Sequence, residues 1–272
     1  MPLLSLIACI AVAPPAPLKV GLVGHSLLNH DLPQMLRTIA KSRGKSLVVY
    51  EQVINGSPLS YNWKNSSGAE KHPQNLYGDL KAEIAKSKPP FDIVILTERV
   101  AIAECIKWED TLGNAIRWRD HARKYNPKAR VMMYSTWVGI HQGDWWKDVP
   151  DLPTWRRRTE ADGRLFAKVA QDAKIGIVPG HTAMGLLYDE LGAGKLPWLG
   201  KSIRSAMADN IHLNKTGNYY IACVMYSSIF GESPVGATGV TKGIWGHELT
   251  NLSASEAKQL QTLAWQAVSA EK

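Results

Sequence analysis

Cysteine is scarce in this chain, which holds three in 272 residues. So few cysteines exclude a disulfide scaffold and a cysteine-based zinc cluster. The chain also has no Walker-type or glycine-rich dinucleotide loop, and its histidines show no metal-ligand spacing with acidic residues. The sequence therefore predicts a protein that needs neither a metal nor a cofactor.

The amino-terminal region has no charged side chain, but its apolar run is too short to cross a bilayer. The run from Leu3 to Ala13 is shorter than the roughly 20 residues that a spanning helix needs. It is typical of the apolar core of a secretory signal, with small residues at Ala11 and Ala13 as a candidate cleavage site. We expect residues 1–17 to be a signal segment. The protein would then be exported (periplasmic or secreted), and we expect no stable membrane insertion.

Two alternatives exist for this segment. Leu6 to Cys9 resembles a lipobox, but the apolar run continues past Cys9, which favours a cleaved signal over a lipoprotein. The other alternative is a buried amino-terminal strand. An oxidising compartment would let Cys105 and Cys223 pair, although we expect two buried free thiols, since cysteine packs as a small apolar residue.

Charge and composition narrow the classes of partner. Lysine and arginine exceed aspartate and glutamate by 32 to 24, which gives a net charge of +8 and favours acidic partners over basic ones. The aromatic spacing of a nucleic-acid reader is absent, so we predict no nucleic-acid partner. Hydrophobic residues at 45% are ordinary for a soluble globular protein. The number of subunits stays open.

Strands and helices are predicted to alternate along the chain. Short apolar runs predict five strands, at 18–23, 46–53, 91–96, 129–135 and 175–178. Helices are expected at 31–42, 75–86, 108–125, 154–173, 181–191, 215–230 and 254–270, with loops at 54–67 and 136–153. This alternation predicts a parallel sheet covered on both faces, in one domain over residues 18–272.

Three short patterns could carry chemistry: two follow predicted strands and one lies near the end of the chain. Ser26 comes on a tight turn after the first strand, where its amide and a helix amino terminus can stabilise an oxyanion. Gly56 follows the second strand and can bring its amide close to a ligand. Asp209 and His212 lie three apart, so that the carboxylate can hold one imidazole nitrogen while the other faces a serine. Each pattern alone is common in structural turns.

Together and in this order, Gly24-His25-Ser26-Leu27, Gly56 and Asp209 to His212 resemble the SGNH (GDSL) hydrolases, over roughly residues 20–230. The resemblance implies a three-layer α/β/α sandwich with a flavodoxin-like parallel five-stranded sheet, in the strand order 2-1-3-4-5. It also implies esterase or deacylase activity. Ser26 would be the nucleophile, His212 the base and Asp209 its orienting carboxylate, with the amides of Ser26 and Gly56 as oxyanion donors.

Two positions depart from the family pattern. His25 stands where the family has Asp or Asn. The family's Gly-x-Asn-Asp block, whose Asn completes the oxyanion hole, is replaced here by Leu96-Thr97-Glu98-Arg99. An ionised Glu98 cannot donate a hydrogen bond, so Thr97 or Arg99 would have to supply the third donor. Gly24-His25-Ser26-Leu27, Thr97-Glu98 and Thr136-Trp137 together resemble a variant found among exported bacterial SGNH proteins. This resemblance favours a divergent subfamily.

The function that we expect is hydrolysis of O-acyl esters, most readily O-acetyl groups on a carbohydrate, although small-acyl lipids also fit. Candidate substrate-binding residues lie in the loops that should flank Ser26. They are His25, Glu98, Tyr61, Trp63, Trp137 and Trp145. The aromatic members can stack on sugar rings or instead cover the sheet. A glycan-binding module without activity and an O-acyltransferase with the same triad are the alternatives.

Overall fold

The computed structural model describes residues 16–69, 76–140 and 151–271. Most of the expected signal segment (residues 1–15) and Trp145 lie outside these ranges.

A parallel sheet forms the centre of the fold. Its strands are β1 (Leu18–Gly24), β2 (Leu47–Val53), β3 (Leu76–Tyr77), β4 (Ile93–Leu96), β5 (Arg130–Tyr134) and β6 (Gly176–Val178). They pair in the order β3-β2-β1-β4-β5-β6. The interior of the sheet is apolar on both faces, as the valine- and isoleucine-rich runs predict: every residue of β4 is buried.

Nine helices surround the sheet in the described part of the chain. They are α1 (Leu32–Ser42), α2 (Leu59–Lys64), α3 (Leu80–Lys86), α4 (Ile102–Trp108), α5 (Thr111–Tyr125), α6 (Leu152–Asp172), α7 (Gly180–Gly192), α8 (Lys215–Phe230) and α9 (Ala254–Ser269). One core lies between the sheet and α1, α7, α8 and α9, and the other lies between the sheet and α2 to α6. An antiparallel hairpin, β7 (Val240–Lys242) and β8 (Glu248–Asn251), packs beside α1 and α8.

The expected three-layer α/β/α architecture is confirmed, and the five predicted strands occur in the expected order. The sheet has one strand more than predicted, because β3 is added at its edge. This strand has two residues, both more than a third exposed, and therefore has no apolar run by which to recognise it. The hairpin was likewise not predicted.

Predictions for three regions were wrong in detail. The helix predicted at 75–86 begins only at Leu80, because Leu76–Tyr77 form strand β3. The helix predicted at 108–125 begins at Thr111, because Asp110 takes a left-handed conformation (φ 52°) and caps α5 by accepting a hydrogen bond from the Gly113 amide. The region 54–67, predicted as a loop, contains α2. A further helix that was not predicted, α4, lies between the end of β4 and the start of α5.

Cys105 and Cys223 are free and buried, as expected. Cys105 lies in α4 and Cys223 in α8, on opposite faces of the sheet. Within the described ranges, none of the helices has the length and apolar character that crossing a bilayer requires.

Candidate functional site

Ser26 begins a short 3₁₀ turn directly after β1, at the carboxyl edge of the sheet. The turn can approach β4 closely because residue 24 is glycine: a Cβ there would lie 2.2 Å from the Thr97 Cγ2. The Ser26 hydroxyl thereby projects from the end of the central strand. Its Oγ lies 2.9 Å from the Nε2 of His212.

His212 and Asp209 continue this hydrogen-bonded chain. The His212 Nδ1 lies 2.7 Å from Asp209 Oδ2. The other carboxylate oxygen of Asp209 accepts from the main-chain amides of Ile211 at 2.8 Å and His212 at 2.7 Å. A carboxylate on Nδ1 favours the tautomer in which Nε2 accepts a proton from the serine hydroxyl. The arrangement can therefore activate Ser26 as a nucleophile.

Hydrogen bonding keeps Asp209 ionised. Desolvation raises the pKa of this carboxyl group, but the amides of Ile211 and His212 and the His212 ring outweigh it and hold the pKa below its usual range. The carboxylate therefore stays charged when the imidazole accepts a proton, which is the state that it must stabilise.

The loop that carries Asp209 and His212 is fixed from several sides. Its ends pair as a bridge between Met207 and Leu213. The buried Trp137 donates from its indole nitrogen to the Ile211 carbonyl at 2.8 Å, and the Ile140 amide donates to the Asn210 carbonyl at 2.8 Å. These contacts hold the loop before α8 begins.

A cleft of about 320 Å³ opens beside the serine. It is lined by Ser26, Asn29, His30, Asp31, Val53, Asn55 and His212. Its volume lies at the lower end of the range for small-molecule sites, which suits a small acyl group. The His30 ring is hydrogen-bonded to the buried Glu51, with 2.8 Å between His30 Nδ1 and Glu51 Oε1. His30 was not predicted as a site residue, although it comes soon after Ser26, between the 3₁₀ turn and α1.

Gly56 lies at the same edge of the sheet, in a turn after β2 with φ +65°. The buried Asn62 fastens this turn to β1, because its side-chain amide lies 2.7 Å from the Ser57 hydroxyl and 3.2 Å from the Gly24 carbonyl. Asn62 was missed in the sequence because it falls in α2, which was read as loop. It connects the turn of Gly56 with the strand that leads to Ser26.

His25 and Glu98 were expected to contact substrate, and the structure corrects both predictions. His25 is 2% exposed, and its Nε2 donates to the Glu98 carbonyl at 2.9 Å. Burial lowers the pKa of His25 to about 4, so the ring is neutral at physiological pH. The Glu98 side chain is 0% exposed and its carboxylate is occupied by three protein donors. Both side chains therefore face the protein interior.

The two candidate replacements for the missing asparagine are placed differently. Thr97 is 0% exposed and its hydroxyl donates to the Tyr134 carbonyl at 2.9 Å, so its proton is unavailable to an oxyanion. Arg99 is half-buried, and its Nε is buried without an acceptor among the described residues. Besides burial, the charge of Arg99 is one of the causes that lower the pKa of His25, the residue before Ser26, so Arg99 lies near this turn. Arg99 thus stays a candidate donor, and Thr97 does not.

The candidate aromatic residues differ in exposure and in what they contact. Trp137 is 1% exposed and supports the Asp209 loop instead of facing substrate, so that prediction was wrong. Trp63 is half-buried and packs edge-on against Trp118, at 5.1 Å between ring centroids, inside the contact of α2 with α5. Tyr61 is 48% exposed on α2 and is free to meet a ligand. Trp145 lies outside the described residues.

In the part of the chain that the structure describes, no group of three or more His, Cys, Asp or Glu side chains could hold a metal ion.

No protein-family model and no curated protein sequence matches the chain. Its fold is similar to that of a DUF4886 family protein from Bacteroides uniformis, with a TM-score of 0.67 and 16% identity, covering 94% of this chain and 97% of that chain. Weaker similarity, at a TM-score of 0.49 for each, extends to two further proteins. A putative GDSL-like lipase from Parabacteroides merdae is 12% identical, covering 79% of this chain and 95% of that chain. A carbohydrate esterase family 3 protein from Talaromyces cellulolyticus is 13% identical, covering 79% and 97%.

At these identities the similarity concerns the fold. The parallel sheet and the placement of Ser26, His212 and Asp209 at its carboxyl edge agree with the architecture that the sequence motifs imply. The chain has a three-layer α/β/α fold around a parallel sheet, the architecture that its resemblance to the SGNH (GDSL) hydrolases implies.

Proposed function

We propose that the protein is a serine esterase that removes O-acyl groups, in particular acetyl groups, from a carbohydrate. The observation that carries this proposal is the continuous hydrogen-bonded chain from Ser26 through His212 to Asp209, with distances of 2.9 and 2.7 Å. These distances meet the geometric requirement for a nucleophile, its base and an orienting carboxylate.

In the first half of the reaction, the Ser26 Oγ attacks the ester carbonyl while His212 Nε2 takes the hydroxyl proton. The tetrahedral intermediate collapses, the C–O bond to the alcohol breaks, and the imidazolium gives its proton to the departing alkoxide. In the second half, His212 deprotonates a water that attacks the acyl-enzyme. The carboxylic acid then leaves and Ser26 recovers its proton.

The oxyanion would be stabilised by the main-chain amides of Ser26 and Gly56 and by the Arg99 guanidinium. Arg99 is favoured over Thr97 because the Thr97 proton is already donated to Tyr134. A guanidinium has N–H donors and no acceptor, so it can serve an oxyanion only as a donor. Removing one oxyanion donor costs on the order of 2.7–4 kcal/mol where it has been measured.

Two features support a carbohydrate that carries short acyl groups: the first concerns the acyl group and the second the sugar. The cleft beside Ser26 is small enough to favour a short acyl group, and Tyr61 offers an exposed aromatic ring near the turn of Gly56. The net charge of +8 favours an acidic substrate over a basic one. An exported protein, as the amino-terminal sequence predicts, would meet such polymers outside the cytoplasm.

The test is hydrolysis of p-nitrophenyl acetate and of an acetylated polysaccharide by the wild type and by Ser26→Ala. We expect the variant to lose at least a thousandfold in kcat on both substrates, since no other group replaces the nucleophile. Ser60→Ala is the control, because Ser60 lies on α2, donates its hydroxyl hydrogen to Glu109 and takes no part in the proposed reaction.

Equal rates for wild type and Ser26→Ala would contradict the assignment of the nucleophile. If the wild type is inactive on both esters but binds the polysaccharide, the glycan-binding alternative holds. Acyl transfer to a second sugar in preference to water would identify an acyltransferase that uses the same residues.

A further inference from the structure

The carboxylate of Glu98 is the most completely buried charged group beside the site, and the mechanism above does not use it. The side chain is 0% exposed. Its Oε1 accepts from the main-chain amides of Leu59 at 3.0 Å and Arg99 at 2.8 Å, and its Oε2 accepts from the Thr111 hydroxyl at 2.9 Å. Burying a carboxylate is costly unless donors surround it, and here three donors do so.

These donors belong to separate parts of the proposed oxyanion site. Leu59 begins α2, three residues after Gly56, so the bond from its amide fixes the segment that follows the Gly56 turn. The bond from the Arg99 amide fixes the backbone of the candidate third donor. One oxygen atom therefore holds both segments at a set separation.

The main chain of Glu98 makes the third connection. Its carbonyl accepts from His25 Nε2 at 2.9 Å, and His25 directly precedes Ser26. Glu98 is thus joined by hydrogen bonds to the Ser26 turn, to the segment after Gly56 and to Arg99. Its Oε2 accepts separately from the Thr111 hydroxyl at the start of α5, a contact with none of these three segments.

We infer that Glu98 is a positioning residue that sets the geometry of the oxyanion site without touching substrate. This inference rests on the proposed function. Oxyanion donors must lie within a few tenths of an ångström of their best position, so a small displacement of these segments lowers the rate of the chemical step. The reach of the Glu98 side chain, and not its charge, is what the Leu59 and Arg99 amides require, because a neutral carbonyl oxygen can accept from both.

Two conservative substitutions separate reach from charge. Glu98→Gln keeps the length and an accepting oxygen but removes the charge. Glu98→Asp keeps the charge but withdraws the carboxylate by about one C–C bond, roughly 1.5 Å. We expect Glu98→Gln to keep kcat on p-nitrophenyl acetate within about threefold of the wild type. We expect Glu98→Asp to lose about 30-fold or more in kcat, with KM changed less than threefold.

Thr111→Val is the matched control. It removes the bond to Oε2 and lowers the melting temperature, while the Leu59 and Arg99 bonds remain, so kcat should stay within about threefold. All rates are measured at least 15 °C below the lowest melting temperature. The inference is overturned if Glu98→Asp keeps its kcat, if Thr111→Val loses as much kcat as Glu98→Asp, or if Glu98→Gln is the more impaired of the two.

A second readout does not depend on activity. The amide ¹H–¹⁵N signals of Ser26 and Gly56 report their surroundings directly, and we expect both to shift in Glu98→Asp and to stay near their wild-type positions in Thr111→Val. Unshifted signals in Glu98→Asp would overturn the inference even if no ester is hydrolysed. If the wild type is inactive but the shifts occur, the proposed function fails and the positioning of these segments by Glu98 stands.

Discussion

His25 directly precedes the nucleophile, yet its ring is hydrogen-bonded within the protein instead of facing a ligand. Its ring lies between the turn of Ser26 and the Glu98 carbonyl, and both nitrogens have partners: Nε2 donates to that carbonyl and Nδ1 accepts from the Leu27 amide at 3.4 Å. Because a carbonyl only accepts, the neutral form with a proton on Nε2 fits this arrangement. Protonation of Nδ1 would bring a second N–H against the Leu27 amide.

This burial predicts a dependence of stability on pH. Desolvation is the main cause that lowers the folded-state pKa of His25 from 6.5 to about 4, so between these values the unfolded chain binds a proton that the folded protein does not. Stability therefore rises with pH across this window and is lost as pH falls from about 6.5 towards 4, by about 3 kcal/mol for this group. His25→Gln, which can still donate to Glu98, should flatten the dependence.

Urea unfolding at several pH values between 4 and 7.5 measures this effect. The control is His247→Gln, because His247 is exposed on the hairpin and its substitution leaves the buried His25 ring in place. The same slope in His25→Gln as in the wild type would mean that His25 titrates normally in the folded protein.

At the scale of elements, the loop between Met207 and Leu213 decides whether the base meets the nucleophile. Sequence spacing alone placed Asp209 and His212 three residues apart, which allows their side chains to meet. Their approach to Ser26, 186 residues away, depends on contacts from the segment after β5, including the indole of Trp137. This support was not foreseen, because a tryptophan after a strand can equally face a ligand.

Trp137→Phe is therefore expected to affect catalysis as well as stability. Loss of the hydrogen bond to the Ile211 carbonyl should lower the free energy of unfolding by about 1–3 kcal/mol and reduce kcat severalfold, because the loop gains freedom. Urea unfolding and p-nitrophenyl acetate kinetics on the same preparation measure both.

Trp118→Phe provides the comparison. Trp118 is equally buried, in the core under α5, and its indole nitrogen has no hydrogen-bond partner within the described ranges. This substitution should lower stability through lost packing and leave kcat unchanged. An unaltered kcat in Trp137→Phe would show that the loop keeps its geometry without the indole.

At the scale of the whole molecule, an excess of eight positive charges affects association with a charged polymer. Exposed charges act over about 10 Å at 0.1 M salt and over about 3 Å at 1 M salt. Attraction of an acidic polysaccharide should therefore weaken as salt is added, whereas stacking of a neutral sugar on an aromatic ring should not.

We expect KM for an acidic acetylated polysaccharide to rise severalfold between 50 and 500 mM NaCl. KM for a neutral acetylated polysaccharide should change less than twofold, and p-nitrophenyl acetate controls for direct effects of salt on the reaction. The same salt dependence for the acidic and neutral polymers would remove the support that net charge gives to an acidic substrate.

The sequence by itself determined the layered architecture and the edge at which the site lies. Buried parallel strands have continuous apolar sequences, and the carboxyl ends of such strands share one edge. The sequence alone therefore placed Ser26 and Gly56 at that edge. The short edge strand β3 and helix α2 could not be predicted, since neither has enough residues for a periodic apolar pattern.

Only the tertiary structure decided which way the side chains at that edge point. Thr97, Glu98 and Trp137 follow strands as candidate ligand contacts would, yet all three are buried because each has a partner far along the chain: Tyr134, Leu59 with Thr111, and Ile211. Such partners come from other elements of the fold. A local pattern cannot reveal them, since the direction of a side chain in a loop is set by packing and not by periodicity.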